Sequence, residues 1–341
     1  MFKVEPEHKL LITGASGFLG GALFSFFEKN LTPRSPIRVL VRNTSALARF
    51  KHIGEERYEP VFGDLNNISS LYQALKGIDI VIHSGALVSF AQRDYRALYQ
   101  TNVVGTRNLV DASLIGGVKR FLHISSTAAI GSFGDGSLSD ERTPFQDWQR
   151  RIGYMISKYF AEFEILRGVS EGLNAVMINP GVIFGDEVRH QNSATQLIRQ
   201  IGRGKIPYFP TGGVGVVGLQ EVCKAALAAL QVSHTGTKHV IIAENLSYQN
   251  LFDLVYATAG RRAVSLPIPE ITGRFAGLLM DAVALLGVKK PFITFDTMSL
   301  SEKSLFYDHS KSKTDLALSY PPFQETISKI LSLRSPQKNL L

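Results

Sequence analysis

No stretch constrains the fold as tightly as Lys9 to Gly20, KLLITGASGFLG. Leu10, Leu11 and Ile12 form a short apolar run of the kind that builds a buried parallel strand, and the chain then turns at Thr13 to Gly20 into the amphipathic segment Phe18 to Lys29. Gly14, Gly17 and Gly20 recur at every third residue. That spacing permits a tight turn, lets backbone N–H groups approach a pyrophosphate and seats the helix close to the strand. The helix N-terminus adds partial positive charge. Ser16, Phe18 and Leu19 belong to the same expected cofactor cradle. An ordinary loop is the competing reading, and the position between an apolar strand and a helix weighs against it.

Ile37 to Val41 (IRVLV) follows as a second strand and ends at Arg42. At this point in a dinucleotide fold an acid would hold a free ribose 2′-hydroxyl, whereas an arginine accommodates a 2′-phosphate. No acid occurs before Glu55, and a guanidinium matches phosphate oxygens in a fork, so NADP is expected rather than NAD. Arg49 offers a second contact. The alternative for both arginines is a solvated loop and helix face. Pro60 to Phe62 reads as a third strand, and Asp64 and Leu65 after it can hold an adenine, with Asp64 equally fit to cap a helix at Ile68 to Leu75. Ile78 to His83 is the fourth strand. Ser84, Gly85 and Ala86 are small enough to let a nicotinamide ribose lie against the backbone, and His83 reads as a packed strand-end side chain. Asn102 opens a helical segment stopped by Gly116 and Gly117, and is expected as a hydrogen-bonding residue near the cofactor.

Phe121 to Ile124 forms a fifth strand ending in Ser125-Ser126-Thr127. Further on, Tyr154 and Lys158 stand four residues apart, which on a helix is about 40° of azimuth and roughly 6 Å of rise. Their heads can converge. A phenol titrating near 10 is a poor acid at neutral pH, but an adjacent ammonium stabilises the phenolate and lowers that value. A solvated surface pair is the alternative, and the glycine turn and serine-bearing strand end favour catalysis.

Composition narrows the remaining classes. The 341 residues are 45% hydrophobic, enough for one large or two moderate cores. Cys223 is the single cysteine, so no internal disulfide or cysteine metal cluster can form and a cytoplasmic setting is expected. Met1 to Lys9 carries no signal-peptide pattern. Although the net charge is +8, lysines and arginines are dispersed, and nucleic acid is not an expected partner. A basic chain suits an anionic cofactor equally well.

The ordered set TGASGFLG, GDL at Gly63 to Leu65, HSGA at His83 to Ala86, TNVVGT at Thr101 to Thr106, HISSTAAIG at His123 to Gly131, YMISK at Tyr154 to Lys158 and NPGVIFG at Asn179 to Gly185 resembles the extended short-chain dehydrogenase/reductase superfamily, the NAD-dependent epimerase/dehydratase family. Arg42, the loop after it and Phe306 to Tyr320 look like the dihydroflavonol-4-reductase group. Similar features occur in 3β-hydroxysteroid dehydrogenases and hopanoid-associated sugar epimerases. The resemblance implies a catalytic triad of Ser126, Tyr154 and Lys158, with Ser125 as the fallback serine, and with Lys158 also on the nicotinamide ribose. It places Arg42 and Arg49 at the 2′-phosphate and Pro180 near the nicotinamide. It also implies a homodimer through helices Thr101 to Leu114 and Tyr154 to Leu166. Leu219-Gln220-Glu221-Val222 departs from the Val-Asp-Val of similar proteins.

The expected fold is therefore an α/β, doubly wound, Rossmann-like parallel sheet with a smaller mixed α/β C-terminal substrate domain. Residues 1–178, rejoined by roughly 215–243, would make the first unit; 179–214 and 244–333 would make the second, with 334–341 as a tail. Asn174 to Ile178 and His239 to Ala243 read as strands, and Glu221 to Gln231 as a helix packed back on the first unit. Ile271 to Val288 is apolar but interrupted by Arg274 and Asp281, which suits a buried helix, a wall of a hydrophobic pocket or a peripheral membrane contact better than a membrane span. The expected activity is NADP-dependent reduction of a carbonyl, or oxidation of a secondary alcohol, on a small substrate, without a metal. The rivals are a nucleotide-sugar epimerase or dehydratase with a retained NAD(P), and a non-catalytic dinucleotide sensor.

Overall fold

Neighbouring residues of a strand face opposite ways, and a strand apolar on both faces needs a helical layer on each. The computed structural model, which describes residues 2–50, 53–185, 193–232, 234–262, 265–268 and 295–332, has that arrangement. Its strands β1 (Leu10–Thr13), β2 (Ile37–Val41), β3 (Tyr58–Phe62), β4 (Ile80–His83), β5 (Arg120–Ile124) and β6 (Ala175–Pro180) join the Lys238–Ile241 strand in one seven-stranded sheet. Every pairing is parallel, and the spatial order is Lys238–Ile241, β6, β5, β4, β1, β2, β3. Leu10 and Ile12 face helices Phe18–Leu31 and Leu219–Gln231, packing with Phe24, Phe27, Val222, Ala225 and Ala226. Leu11 faces the other way, in a cluster with Leu71, Leu109 and Ile165 from helices Ile68–Leu75, Gly105–Ile115 and Gly153–Ser170. The sheet is doubly wound. Phe24 and Phe27 are at most 1% exposed, and each contributes about 2–3 kcal/mol by burial, more than a surface ion pair does.

Several boundaries differ from the sequence reading for local reasons. β3 starts at Tyr58, whose ring stacks on Phe50 at 4.9 Å and draws two further residues into the sheet. β4 starts at Ile80 because the Ile78 N–H still bonds the Leu75 carbonyl, closing the preceding helix through Gly77 at φ +72°. β6 runs on through Asn179 and Pro180, in register with Val240 and Ile241.

A second, mixed sheet is built around Gly213–Gly218, antiparallel to Glu244–Ser247 and parallel to Val182–Phe184 and Ser304–Leu305. Ile198, Ile201, Phe252, Val255, Ile327 and Ile330 from helices Ser193–Gly202, Tyr248–Thr258 and Phe323–Ser332 form its core. Gly213–Gly218 thus pairs in the second sheet, and the chain returns to the large one only with helix Leu219–Gln231. Glu221, 7% exposed, lies in the first turn of that helix, whose Gly218 cap receives no side-chain bond. Ile271 to Val288 and the tail 334–341 lie outside the described residues. Among the described residues no helix is long and apolar enough to cross a membrane, and no group of three His, Cys, Asp or Glu could hold a metal ion.

Candidate active site

The strand order reverses between β1 and β4, and at such a switch point the connections leave in opposite directions and open a crevice at the carboxyl ends of the strands. The glycine turn after β1 and Ser84–Ala86 after β4 line that crevice. Gly14 has φ +72°, and a Cβ there would lie 2.7 Å from both Gly85 Cα and N. A Cβ on Gly20 would meet the Gly14 carbonyl at 2.1 Å. These two positions admit only glycine. Gly17 caps the following helix without any side-chain bond, so the first N–H groups of that helix face outward in the cradle geometry that a pyrophosphate fits. Ser16, Phe18 and Leu19 are half-buried around the turn, and Ser84 Oγ donates to the Thr13 carbonyl at 2.9 Å.

Arg42 is exposed at the carboxyl end of β2, beside the turn, with no hydrogen bond or ion pair among the described residues. The side chain of Arg49 lies outside the described residues. Asp64 is half-buried and accepts the Asn66 N–H at 2.8 Å, while Asn67 takes the helix-capping place by accepting the Ser70 N–H. The capping alternative for Asp64 therefore falls to its neighbour, the short loop having put Asn67 directly before the helix. Leu65 is 9% exposed, and its carbonyl accepts from Asn108.

Ser126 and Tyr154 meet at the end of β5. The Ser126 hydroxyl lies against the Tyr154 phenol and acts to lower its pKa, and Ser126 Oγ accepts the Ala128 N–H at 3.1 Å. Ser125 instead turns its hydroxyl to Glu162 at 2.6 Å, so of the two adjacent serines the structure brings Ser126 to the tyrosine. Tyr154 is half-buried, with Phe90 edge-on at 5.5 Å. Burial of the phenol pushes its pKa up, against the smaller lowering by the Ser126 hydroxyl. This is opposite to the direction expected from its spacing to Lys158. The cause is geometric: Lys158, 2% exposed, donates its ammonium to the Ile124 carbonyl at 3.0 Å. Burial lowers the Lys158 pKa to about 8, with Glu162 acting the other way.

Asn102 commits its side chain to protein: it accepts from Leu87 N and donates to Leu87 O and to Ser157 Oγ, all within 2.9 Å. It holds the loop after β4 against the helix that carries Tyr154. His83 is packed as expected, between Thr13 Oγ1 at 2.7 Å and Thr106 Oγ1 at 3.0 Å, and burial lowers its pKa to about 3, keeping it neutral. Pro180 is buried at the end of β6. Three residues that sequence reasoning passed over complete the neighbourhood. Phe90 joins Phe145, Ile152, Met155, Trp148 and Leu300 in an apolar cluster beside Tyr154. Glu162 continues the Tyr154–Lys158 stripe at the same four-residue step, a spacing legible in the sequence. Asn179 donates to the Ser126 carbonyl at 3.0 Å from a neighbouring strand, which no local pattern signals.

Comparison with known proteins agrees with this fold. The profile of the NAD dependent epimerase/dehydratase family matches residues 10–243. A Synechocystis sp. protein that carries a dihydroflavonol 4-reductase name is 29% identical over 325 residues, 93% of this chain and 92% of its own length. Sterol demethylase protein B of Methylococcus capsulatus is 26% identical over 310 residues, 90% of this chain and 92% of its own. The crystal structure of gox2253 superposes with a TM-score of 0.79 at 29% identity, covering 96% of this chain and 97% of that one.

Proposed function

The chain belongs to the NAD dependent epimerase/dehydratase family, and from that premise we propose that it is an NADP-dependent oxidoreductase interconverting a carbonyl and a secondary alcohol on an apolar substrate. The observation that carries the reading is the Ser126–Tyr154 hydroxyl pair standing on the same carboxyl edge of the sheet as the glycine-only turn. Gly14 to Gly20 would hold the pyrophosphate, Ser84 to Ala86 the nicotinamide ribose, and exposed Arg42 the 2′-phosphate. A nicotinamide bound there supplies or accepts the hydride.

The remaining work falls to this chain's own side chains. In the reducing direction Tyr154 donates its hydroxyl proton to the carbonyl oxygen as negative charge develops, and Ser126 hydrogen-bonds the same oxygen and fixes its direction. A neutral phenol is the required donor, and burial keeps Tyr154 protonated at neutral pH. Lys158, bonded to the Ile124 carbonyl, supplies a positive charge at the strand end that leads into Ser125 and Ser126. The apolar cluster of Phe90, Phe145 and Trp148 favours an apolar body on the substrate, as does the sterol in one relative's name. Exposed Phe160 and Phe163, with ring centroids 6.3 Å apart on the Gly153–Ser170 helix, support a homodimer through this helix.

Tyr154→Phe tests the proposal. NADPH binding, followed by quenching of the single tryptophan, Trp148, is expected to persist while NADPH consumption with a panel of apolar ketones drops at least about a hundredfold. Undiminished turnover removes the tyrosine from the mechanism. Stoichiometric NADPH consumption separates a reductase from an epimerase that returns its hydride.

A further inference from the structure

Tyr154, Lys158 and Glu162 stand at successive four-residue steps on one helix, so their side chains share the face turned to the ends of β5 and β6. Glu162 is a carboxylate only 3% exposed. A buried carboxylate persists only where donors surround it. Its Oε1 accepts Ser125 Oγ at 2.6 Å and Asn179 Nδ2 at 2.5 Å, and Oε2 meets Lys238 Nζ at 3.1 Å. Those donors come from the residue after β5, from β6 and from the Lys238–Ile241 strand, three neighbouring positions of the sheet.

Two of the three bonds lead back to the reacting hydroxyls. The same Asn179 Nδ2 also donates to the Ser126 carbonyl at 3.0 Å, and Ser125 is the residue directly before Ser126. Resting on the oxidoreductase reading above, we infer that Glu162 is a positioning residue: its carboxylate ties the Ser125–Ser126 strand end to Asn179 and holds the buried Lys158 ammonium charged beneath Tyr154, while Lys238 balances it from the outer side. The titratable and charged groups around this pair are few. Lys238 faces Glu162, and His83 from β4 and His123 from β5 face Lys158, both histidines held neutral by burial. Tyr154 completes the set. Glu162 is therefore the group whose charge acts on Lys158 at neutral pH, favouring the ammonium, and Lys238 pairs with the other oxygen of Glu162.

The test removes that charge. Glu162→Gln keeps size and an acceptor but removes the charge, so the midpoint of the alkaline fall in kcat/KM is expected about one pH unit lower, with kcat lowered more than KM. A structural role alone would lower kcat without moving the limb, and that result overturns the proposal. A second arm needs no substrate. Urea midpoints of Glu162→Gln, Lys158→Met and the double variant are expected to be non-additive at pH 7 and additive near pH 11, where Lys158 is neutral in the folded chain. Additivity at pH 7 refutes the coupling whatever the reaction proves to be. Coupling at pH 7 in a protein that turns over no ketone would instead overturn the oxidoreductase reading and leave the electrostatic tie standing.

Discussion

Replacing Lys158 by methionine should abolish turnover and yet make the protein more stable at neutral pH. Lys158 is 2% exposed, and its pKa falls from 10.5 to about 8 on folding because burial disfavours the ammonium. Each tenfold loss of proton affinity on folding corresponds to about 1.4 kcal/mol, so below pH 8 the buried charge costs about 3 kcal/mol. Methionine preserves the aliphatic stem and removes that cost. Against the gain stands the lost bond to the Ile124 carbonyl, worth about 1 kcal/mol. The net expectation is a stabilisation of about 2 kcal/mol at pH 7. Its sign depends on pH. Between 8 and 10.5 the unfolded chain binds a proton that the folded chain has released, so wild-type stability rises with pH through this window and the cost is relieved. Above it the variant keeps only the missing hydrogen bond and should be about 1 kcal/mol the weaker protein. Urea unfolding followed by far-UV circular dichroism, at pH 7 and pH 11 on both proteins, measures the crossing. A variant less stable at pH 7, or a difference that does not change with pH, would show that Lys158 is not held as a desolvated cation.

Three further outcomes follow from the same geometry. Gly14→Ala forces a Cβ to 2.7 Å from the Gly85 backbone at φ +72°, and should cost at least about 1–2 kcal/mol in urea unfolding and weaken NADPH binding measured by titration calorimetry. Arg42→Ser should raise the KM for NADPH about tenfold to a hundredfold, the worth of a charge-assisted phosphate contact, while leaving that for NADH nearly unchanged; equal effects on both would remove Arg42 from the 2′-phosphate. Phe163→Asp puts a charge on a ring 49% exposed in the single chain and tests the proposed homodimer: light scattering should show half the molar mass of the wild type with turnover per chain retained, and an unchanged mass would refute this interface.

Where signals were local, the sequence carried them. The period-two alternation of Leu10, Leu11 and Ile12 between two apolar faces specifies a sheet covered on both sides, and the three-residue recurrence of Gly14, Gly17 and Gly20 specifies the turn, because backbone sterics act between residues close in the chain. The four-residue step from Tyr154 to Lys158 places both on one helix face for the same reason. It could not say where the Lys158 ammonium would point, which is settled by the Ile124 carbonyl, 34 residues earlier. Nor could it divide the roles of Ser125 and Ser126. That division is made by Glu162, and Glu162 is held by Asn179, 17 residues away, and by Lys238, 76 residues away. A buried charge is stable only when its partners converge from several strands, so the sequence marks Glu162 by its spacing alone while its chemistry belongs to the tertiary fold. The helix fixes which residues share a face, and the strand ends decide which partners their charges meet.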